Sequence, residues 1–176
     1  MERFPPAVRN GWLLLDDDVL LAQCSISTHR VRGPGGQHRN KTESGVQLVH
    51  KPSGQIGWAT ESRSQHDNRR EAVLRLRPAI AAHCRSPLDT LELPEELLTF
   101  LRGERVLRLP RADLRRWVAL ATALDALDGA AGQVSSAAGM FMITTGQFNK
   151  LLGTTREIWQ AAQTIRQAHG LPGLRG

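Results

Sequence analysis

The chain has 176 residues and a formal net charge of +6, enough for one medium domain or two small ones with a real core. Its two cysteines, Cys24 and Cys84, are too few and too far apart for a disulfide framework or a zinc site, and no cofactor or metal is implied. No apolar run approaches a membrane span, and residues 12–15 stop at Asp16, Asp17 and Asp18, so a soluble, reduced, cytoplasmic chain without a membrane partner is expected.

In chain order, residues 1–15 read as a loose lead-in, with Pro5 and Pro6 discouraging regular structure. Asp16 to Asp18 suit the cap of a short helix ending near Gln23. Residues 24–27 read as a strand that delivers the chain to an unusual stretch, residues 30–42. Three glycines and a proline (Gly33, Pro34, Gly35, Gly36) exclude helix and regular strand there. Arg30, Arg32, Arg39 and Lys41 bracket this small tip, with no acid before Glu43. Such a tip can enter a confined site, and the cationic collar suits a phosphate-lined entrance. Gln37 is the tip side chain that both donates and accepts hydrogen bonds, and His38 follows it.

Val46 and Leu48 alternate with Gln47 as in a half-buried strand, residues 51–55 supply turn chemistry, and Ile56 and Trp58 mark the return strand of a hairpin. Ser62 or Ser64 then caps a helix whose buried face carries Val73, Leu76 and Ile80 and whose polar face carries Arg63, Arg69, Arg70 and Arg77. Pro78 predicts an end or a sharp kink at Arg77, because a proline inside a helix costs about 3 kcal/mol. A three- to four-strand sheet backed by this helix completes a small domain. Residues 29–77 hold ten Lys/Arg against four Asp/Glu, which accounts for the whole net charge and places a polyanion contact on this segment.

Further on, Pro94 starts a helix that Gly103 is placed to end, and residues 111–127 form the longest amphipathic pattern, with Leu114, Trp117, Val118, Ala121 and Leu124 on one face. Ser135 or Ser136, Thr144 or Thr145, and Thr154 or Thr155 imply three more helices, the last stopping at Gly170, with Trp117 and Trp159 in the core. Ala138, Phe141, Met142, Ile143, Phe148 and Leu151 fit the apolar spacing of a helix-turn-helix. The turn position that usually holds glycine is Met142, and the following helix offers one cation, so DNA is disfavoured as a partner. The expected fold class is α+β: a small antiparallel or mixed sheet with one packed helix, residues 1–85, then an all-helical module of unknown partner, residues 86–176.

The string Gly33-Pro34-Gly35-Gly36-Gln37, then Asn40-Lys41, Ser44-Gly45-Val46, Arg63-Ser64-Gln65, Asn68 and Ala72 resembles the Gly-Gly-Gln domain of the bacterial peptide chain release factors and their codon-independent ribosome-rescue relatives. The likeness covers about residues 16–77; Pro78 departs from it, because the corresponding family helix continues. It implies a ribosome-dependent peptidyl-tRNA hydrolase that works without a cofactor. Gly35, Gly36 and Gln37 would be the catalytic residues. Arg30, Arg32, His38, Arg39, Lys41, Arg63, Arg69 and Arg70 would bind rRNA and tRNA. The implied partners are the ribosome, peptidyl-tRNA and a glutamine methyltransferase acting on Gln37. With neither a stop-codon-reading domain nor a clustered basic tail recognised, hydrolysis without codon reading, in ribosome rescue or termination, is expected. The alternatives are a non-hydrolytic RNA- or ribosome-binding module and a helix-turn-helix-type regulator.

Overall fold

The structure, a computed structural model, describes residues 3–30, 44–87, 97, 101–102, 106–107 and 110–174. These pack as two compact units, Leu15–Ile80 and a second made of Met1–Leu14 with Ala81–Gly176. The described architecture is α+β, with a three-stranded antiparallel sheet and several helices.

The first unit opens with helix α2 (Asp17–Ala22), after Asp16 at its N-cap. The chain then enters β1 (Cys24–His29), β2 (Gly45–His50) and β3 (Ile56–Ala59). Sheet order follows sequence order, with Ile26 opposite Leu48 and Gln47 opposite Trp58. The central strand alternates as its sequence requires: Val46, Leu48 and His50 are buried, while Gln47 and Val49 are half-buried. The turn between β2 and β3 needs the glycine it has, since Gly54 sits at φ +66. His50 is fully buried there. Its Nδ1 lies 2.6 Å from Ser53 Oγ and its Nε2 3.0 Å from Gln23 Oε1, which ties the turn to the start of β1.

Helix α3 (Gln65–His83) covers the inner face of the sheet. Of the two candidate caps, Ser64 acts: its Oγ accepts from the Asp67 amide at 3.2 Å. The approach of α3 to β3 is set by Gly57, where a Cβ would lie 2.1 Å from the Ala72 carbonyl oxygen. The helix does not end at Arg77 but runs through Pro78 to His83. Leu76, Ile80, Ala81 and Ala82 are fully buried, and burying one large aliphatic side chain contributes about 1.5–3 kcal/mol, so the cost of the internal proline is offset. Leu74, whose carbonyl loses its helical partner at Pro78, is 58% exposed and open to water. Arg77 does not join the polar face; it is buried and ion-paired to Asp17 at 2.8 Å.

In the second unit the lead-in is helical. Helix α1 (Pro6–Leu14) takes Pro6 as its first residue, where a missing N–H costs nothing. Phe4 meets Trp12 edge-on at 5.0 Å, and the Phe4 amide donates to the Arg85 carbonyl at 2.8 Å. The centre is α4 (Arg115–Gly129), buried without interruption from Val118 to Leu127, so the single apolar face expected from its spacing is too narrow. Around it stand α5 (Val134–Met140), α6 (Thr145–Leu152) and α7 (Arg156–Ala168). Thr144 closes a full capping box on α6 and Thr155 caps α7, whereas α5 starts after Gln133 and not at a serine. Trp117 and Trp159 are half-buried and not core residues; the aromatic core pair is Phe141 with Phe148. The helix expected from Pro94 falls largely outside the described residues. It does not reach Gly103, because β4 (Leu101–Arg102) pairs antiparallel with β5 (Val106–Leu107).

Two buried arginines and one buried aspartate hold this unit together. Arg9 Nη1 donates to Asp125 Oδ2, Arg85 Nη1 lies 3.3 Å from Asp125 Oδ1, and the Ser86 amide donates to the same oxygen at 3.0 Å. Removing the carboxylate leaves two guanidinium groups without their counter-charge. Asp125→Ala is therefore expected to destabilise the unit by about 3–5 kcal/mol, read as the drop in unfolding free energy in urea, and a loss below 1 kcal/mol would count against this role.

Candidate functional site

The tip and most of its collar, Arg32, Gly35, Gly36, Gln37, His38, Arg39 and Lys41, lie outside the described residues. What the structure describes is the frame on either side. His29 and Gly45 are opposite each other in register, so residues 30–44 connect neighbouring antiparallel strands at one end of the sheet. Arg30 is exposed just beyond β1, and Ser44 is buried just before β2.

Ser44 is held by a residue distant in sequence. The Asn68 side-chain amide nitrogen donates to the Ser44 carbonyl at 2.6 Å and to the Ser62 carbonyl at 2.8 Å, and its Oδ1 accepts from the Ser62 amide at 2.9 Å. Asn68 is 1% exposed, so a single side chain on the first turn of α3 fixes both the chain leaving residues 31–43 and the turn before the helix. In the string of matching residues, Asn68 is thus a clamp, and Ala72 supplies the backbone carbonyl against which Gly57 packs.

Of the expected RNA-binding cations, Arg30, Arg63, Arg69 and Arg70 are described and all four are exposed. Two acids of the same segment are engaged by another cation: Arg75 lies 2.9 Å from Glu61 and 3.4 Å from Glu71. Backbone donation from Thr60, with the Arg75 hydrogen bond second, holds the Glu61 carboxyl below its usual range. The positive field of Arg63, Arg69 and Arg70 is therefore little compensated by these carboxylates.

The described residues of this unit offer poor nucleophiles. Burial pushes the Cys24 thiol up, and its Sγ donates to the Leu20 carbonyl. Burial also pushes His50 below its ordinary value. Its contact with Ser53 pins a turn, and neither side chain reaches solvent. Sequence reading passed over Asn68 and His50 as site-supporting residues. The signal for Asn68 was its place in the matching string; for His50, a polar residue in phase with Val46 and Leu48.

In the helical unit, α5 and α6 are joined by a tight turn with Met142 at φ +54. The Met142 amide donates to Gly139 at 3.0 Å and the Ile143 amide to Ala138 at 3.2 Å, the bond pattern that normally places glycine at the left-handed position. Two helices joined by a left-handed turn are thus present, with methionine where glycine usually stands. The second helix carries Lys150 as its one Lys or Arg.

Residues 17–92 match the family model described as the RF-1 domain. The chain is similar to peptide chain release factor 1 of Xylella fastidiosa (strain 9a5c), 36% identical over 96 residues, covering 54% of this chain and 27% of that protein. It is also similar to peptide chain release factor 1 of Rhodospirillum rubrum, 34% identical over 95 residues, again covering 54% and 27%. The chain thus spans about a quarter of the length of these relatives. No solved structure matches it.

The clamp supplies a direct test of the frame. Asn68→Ala strands the buried Ser44 carbonyl and the half-buried Ser62 groups, and about 1–3 kcal/mol of stability should go with it. Thermal unfolding of the variant reads this out; an unchanged midpoint would mean that water replaces the asparagine and that Ser44 is held by something else.

Proposed function

We propose, from the premise that this is a release-factor-like chain, that it hydrolyses the ester between a nascent peptide and tRNA in the peptidyl-transferase centre of the ribosome without reading a stop codon. The observation that carries this reading is the sequence Gly33-Pro34-Gly35-Gly36-Gln37 with its basic collar, lying within the segment that matches the RF-1 domain. Residues 93–176, beyond the match, bear a helical module, which supports a mode of targeting other than codon reading.

The reaction needs water placed against the ester carbonyl and support for the charge that develops on its oxygen. Gly35 and Gly36 let the backbone turn so that the Gln37 amide N–H faces that oxygen, and the Gln37 side chain shapes the pocket for water. The same side chain is the proposed site of amide methylation by a glutamine methyltransferase. RNA supplies the remaining walls, so no serine–histidine–aspartate set or metal is called for. Arg30, Arg32, His38, Arg39 and Lys41 contact rRNA and tRNA around the entrance, and Arg63, Arg69 and Arg70 extend the contact along α3. Residues 1–85 carry the chemistry in this proposal, and residues 86–176 select the ribosomal complex, in the cytoplasm.

The decisive experiment adds the full chain to ribosomes carrying peptidyl-tRNA with a stop codon, a sense codon or truncated mRNA in the A site. Release on all three, lowered by about 100- to 1000-fold in Gly36→Ala, is expected, on the scale of losing one oxyanion donor. Release only at stop codons would overturn the codon-independent part. Release on no complex would leave the non-hydrolytic ribosome-binding alternative.

The collar has its own readout. Neutralising Arg63, Arg69 and Arg70 together should flatten the slope of log affinity against log salt by about 0.7–0.9 per lost phosphate contact. An unchanged slope in ribosome binding would make these three arginines an ordinary solvated face.

A further inference from the structure

The outer face of the three-stranded sheet is not a typical solvated face. Strand alternation and register place Ser25, Ser27 and His29 of β1, Gln47 and Val49 of β2, and Ile56 and Trp58 of β3 on it. Trp58 is 40% exposed and Ile56 48% exposed. The His29 ring lies 5.0 Å from the Trp58 ring at 40°. Those two residues stand on the outer strands, and the position opposite His29 on the middle strand is Gly45, so no side chain separates the rings. Hydrogen-bonding groups border the pair: Ser27 Oγ is 3.2 Å from His29 Nε2 and donates to Gln47 Oε1 at 3.4 Å. None of the seven face residues is a carboxylate. Exposed cations stand at opposite ends of the sheet, Arg30 just past β1 and Lys51 just past β2.

We propose that this face is an RNA contact on which an unpaired nucleobase stacks against Trp58, extending the ring pair with His29, while Gln47 and Ser27 meet the base edge or ribose hydroxyl and Arg30 meets the adjoining phosphate. An exposed aromatic ring among neutral hydrogen-bonding groups, with cations at the rim, is complementary to a base on a charged backbone. A protein partner's apolar surface would leave Gln47, Ser27 and His29 to be desolvated without new bonds. Stacking is tolerant of base identity, so the contact adds affinity and position and reads no sequence. The inference rests on the ribosomal reading for its setting, but the RNA contact itself can be tested apart from hydrolysis.

The probe is an oligoadenylate RNA octamer titrated into the full chain, followed by tryptophan fluorescence and by competition against a labelled octamer. Trp58→Leu is expected to weaken binding by roughly 5- to 100-fold, the range for removing one base–aromatic stack, while leaving the slope of log affinity against log salt unchanged. Trp58→Phe, which keeps a stacking ring and guards against a folding defect in the leucine variant, should retain affinity within about threefold and abolish the RNA-induced quenching. Affinity in Trp58→Leu within twofold of the parent, or quenching that persists in Trp58→Phe, overturns the proposal. A loss accompanied by a flattened salt slope overturns it too, since the contact would then be electrostatic. Gly36→Ala separates the two readings: it should lose peptide release but bind the octamer normally. Release that depends on Gly36, together with binding indifferent to Trp58, would sink this inference alone. Trp58-dependent binding with no release on any ribosomal complex would sink the hydrolase reading alone.

Discussion

Two buried guanidinium groups sharing one buried carboxylate organise the helical unit. Arg9 comes from α1, Arg85 follows α3, and Asp125 lies in the fully enclosed stretch of α4. Burial pushes Arg85 down to about 10, with Asp125 pulling it back, so it stays charged at neutral pH. Such a cluster is costly to desolvate, and hydrophobic replacements of equal volume are often no less stable. What it supplies is uniqueness of arrangement: each oxygen of Asp125 is satisfied only when three chain segments meet in one way. The backbone carbonyls of Cys84 and Ala121 take further guanidinium donors, which completes most of the network. This is why residues 1–14 group with the helices from residue 81 onward and not with the sheet that follows them in sequence. Cutting the chain after Arg85 would remove Asp125 and leave both arginines without their counter-charge.

The sheet unit uses the same device with neutral groups. Asn68 is placed by the first turn of α3, and α3 is placed by the close approach of Ala72 to Gly57. A backbone contact of that kind tolerates no Cβ, so the spacing between helix and sheet is fixed by one residue's lack of a side chain. His50 adds a second pin at the far end of β2. The result is a rigid frame with Arg30 and Ser44 delivered to one edge. The site proposed above, in which backbone amides and one glutamine act, would need such a frame, since positioning is what it contributes.

The sheet, its hairpin and the helix behind it were legible in the sequence because alternation at Val46, Leu48, Ile56 and Trp58 is a local signal, and turn chemistry at Gly54 marks the corner. The candidate site was legible as a string of residues, while its support was not: Asn68 reaches Ser44 across 24 positions, and no periodicity encodes that. Local rules failed where tertiary burial outweighed them. Pro78 reads as a helix end, yet Ile80, Ala81 and Ala82 are buried beyond it. Pro5 and Pro6 read as part of a loose lead-in, yet Pro6 opens a helix anchored by Arg9. Trp117 reads as core by spacing, but α4 is enclosed from Val118 onward and the indole instead lies under the Arg116 guanidinium, 4.5 Å from its ring centroid.

The α5–α6 hairpin shows how far geometry alone carries a functional reading. Its turn holds Met142 in a left-handed conformation that costs a residue with a side chain about 1–2 kcal/mol. The buried Phe141–Phe148 contact and the capping box at Thr144 hold the turn in place. That shape is compatible with docking into a groove. Charge decides what kind of groove: from residue 134 to 152 the sequence offers Lys150 and no other Lys or Arg. A duplex-binding helix pair gains much of its affinity from several phosphate contacts, each releasing condensed counterions, and one lysine gives at most one. Shape without charge fits a folded protein or a structured, locally neutral surface better than a phosphate backbone. The surplus cations of the chain are gathered instead on residues 29–77.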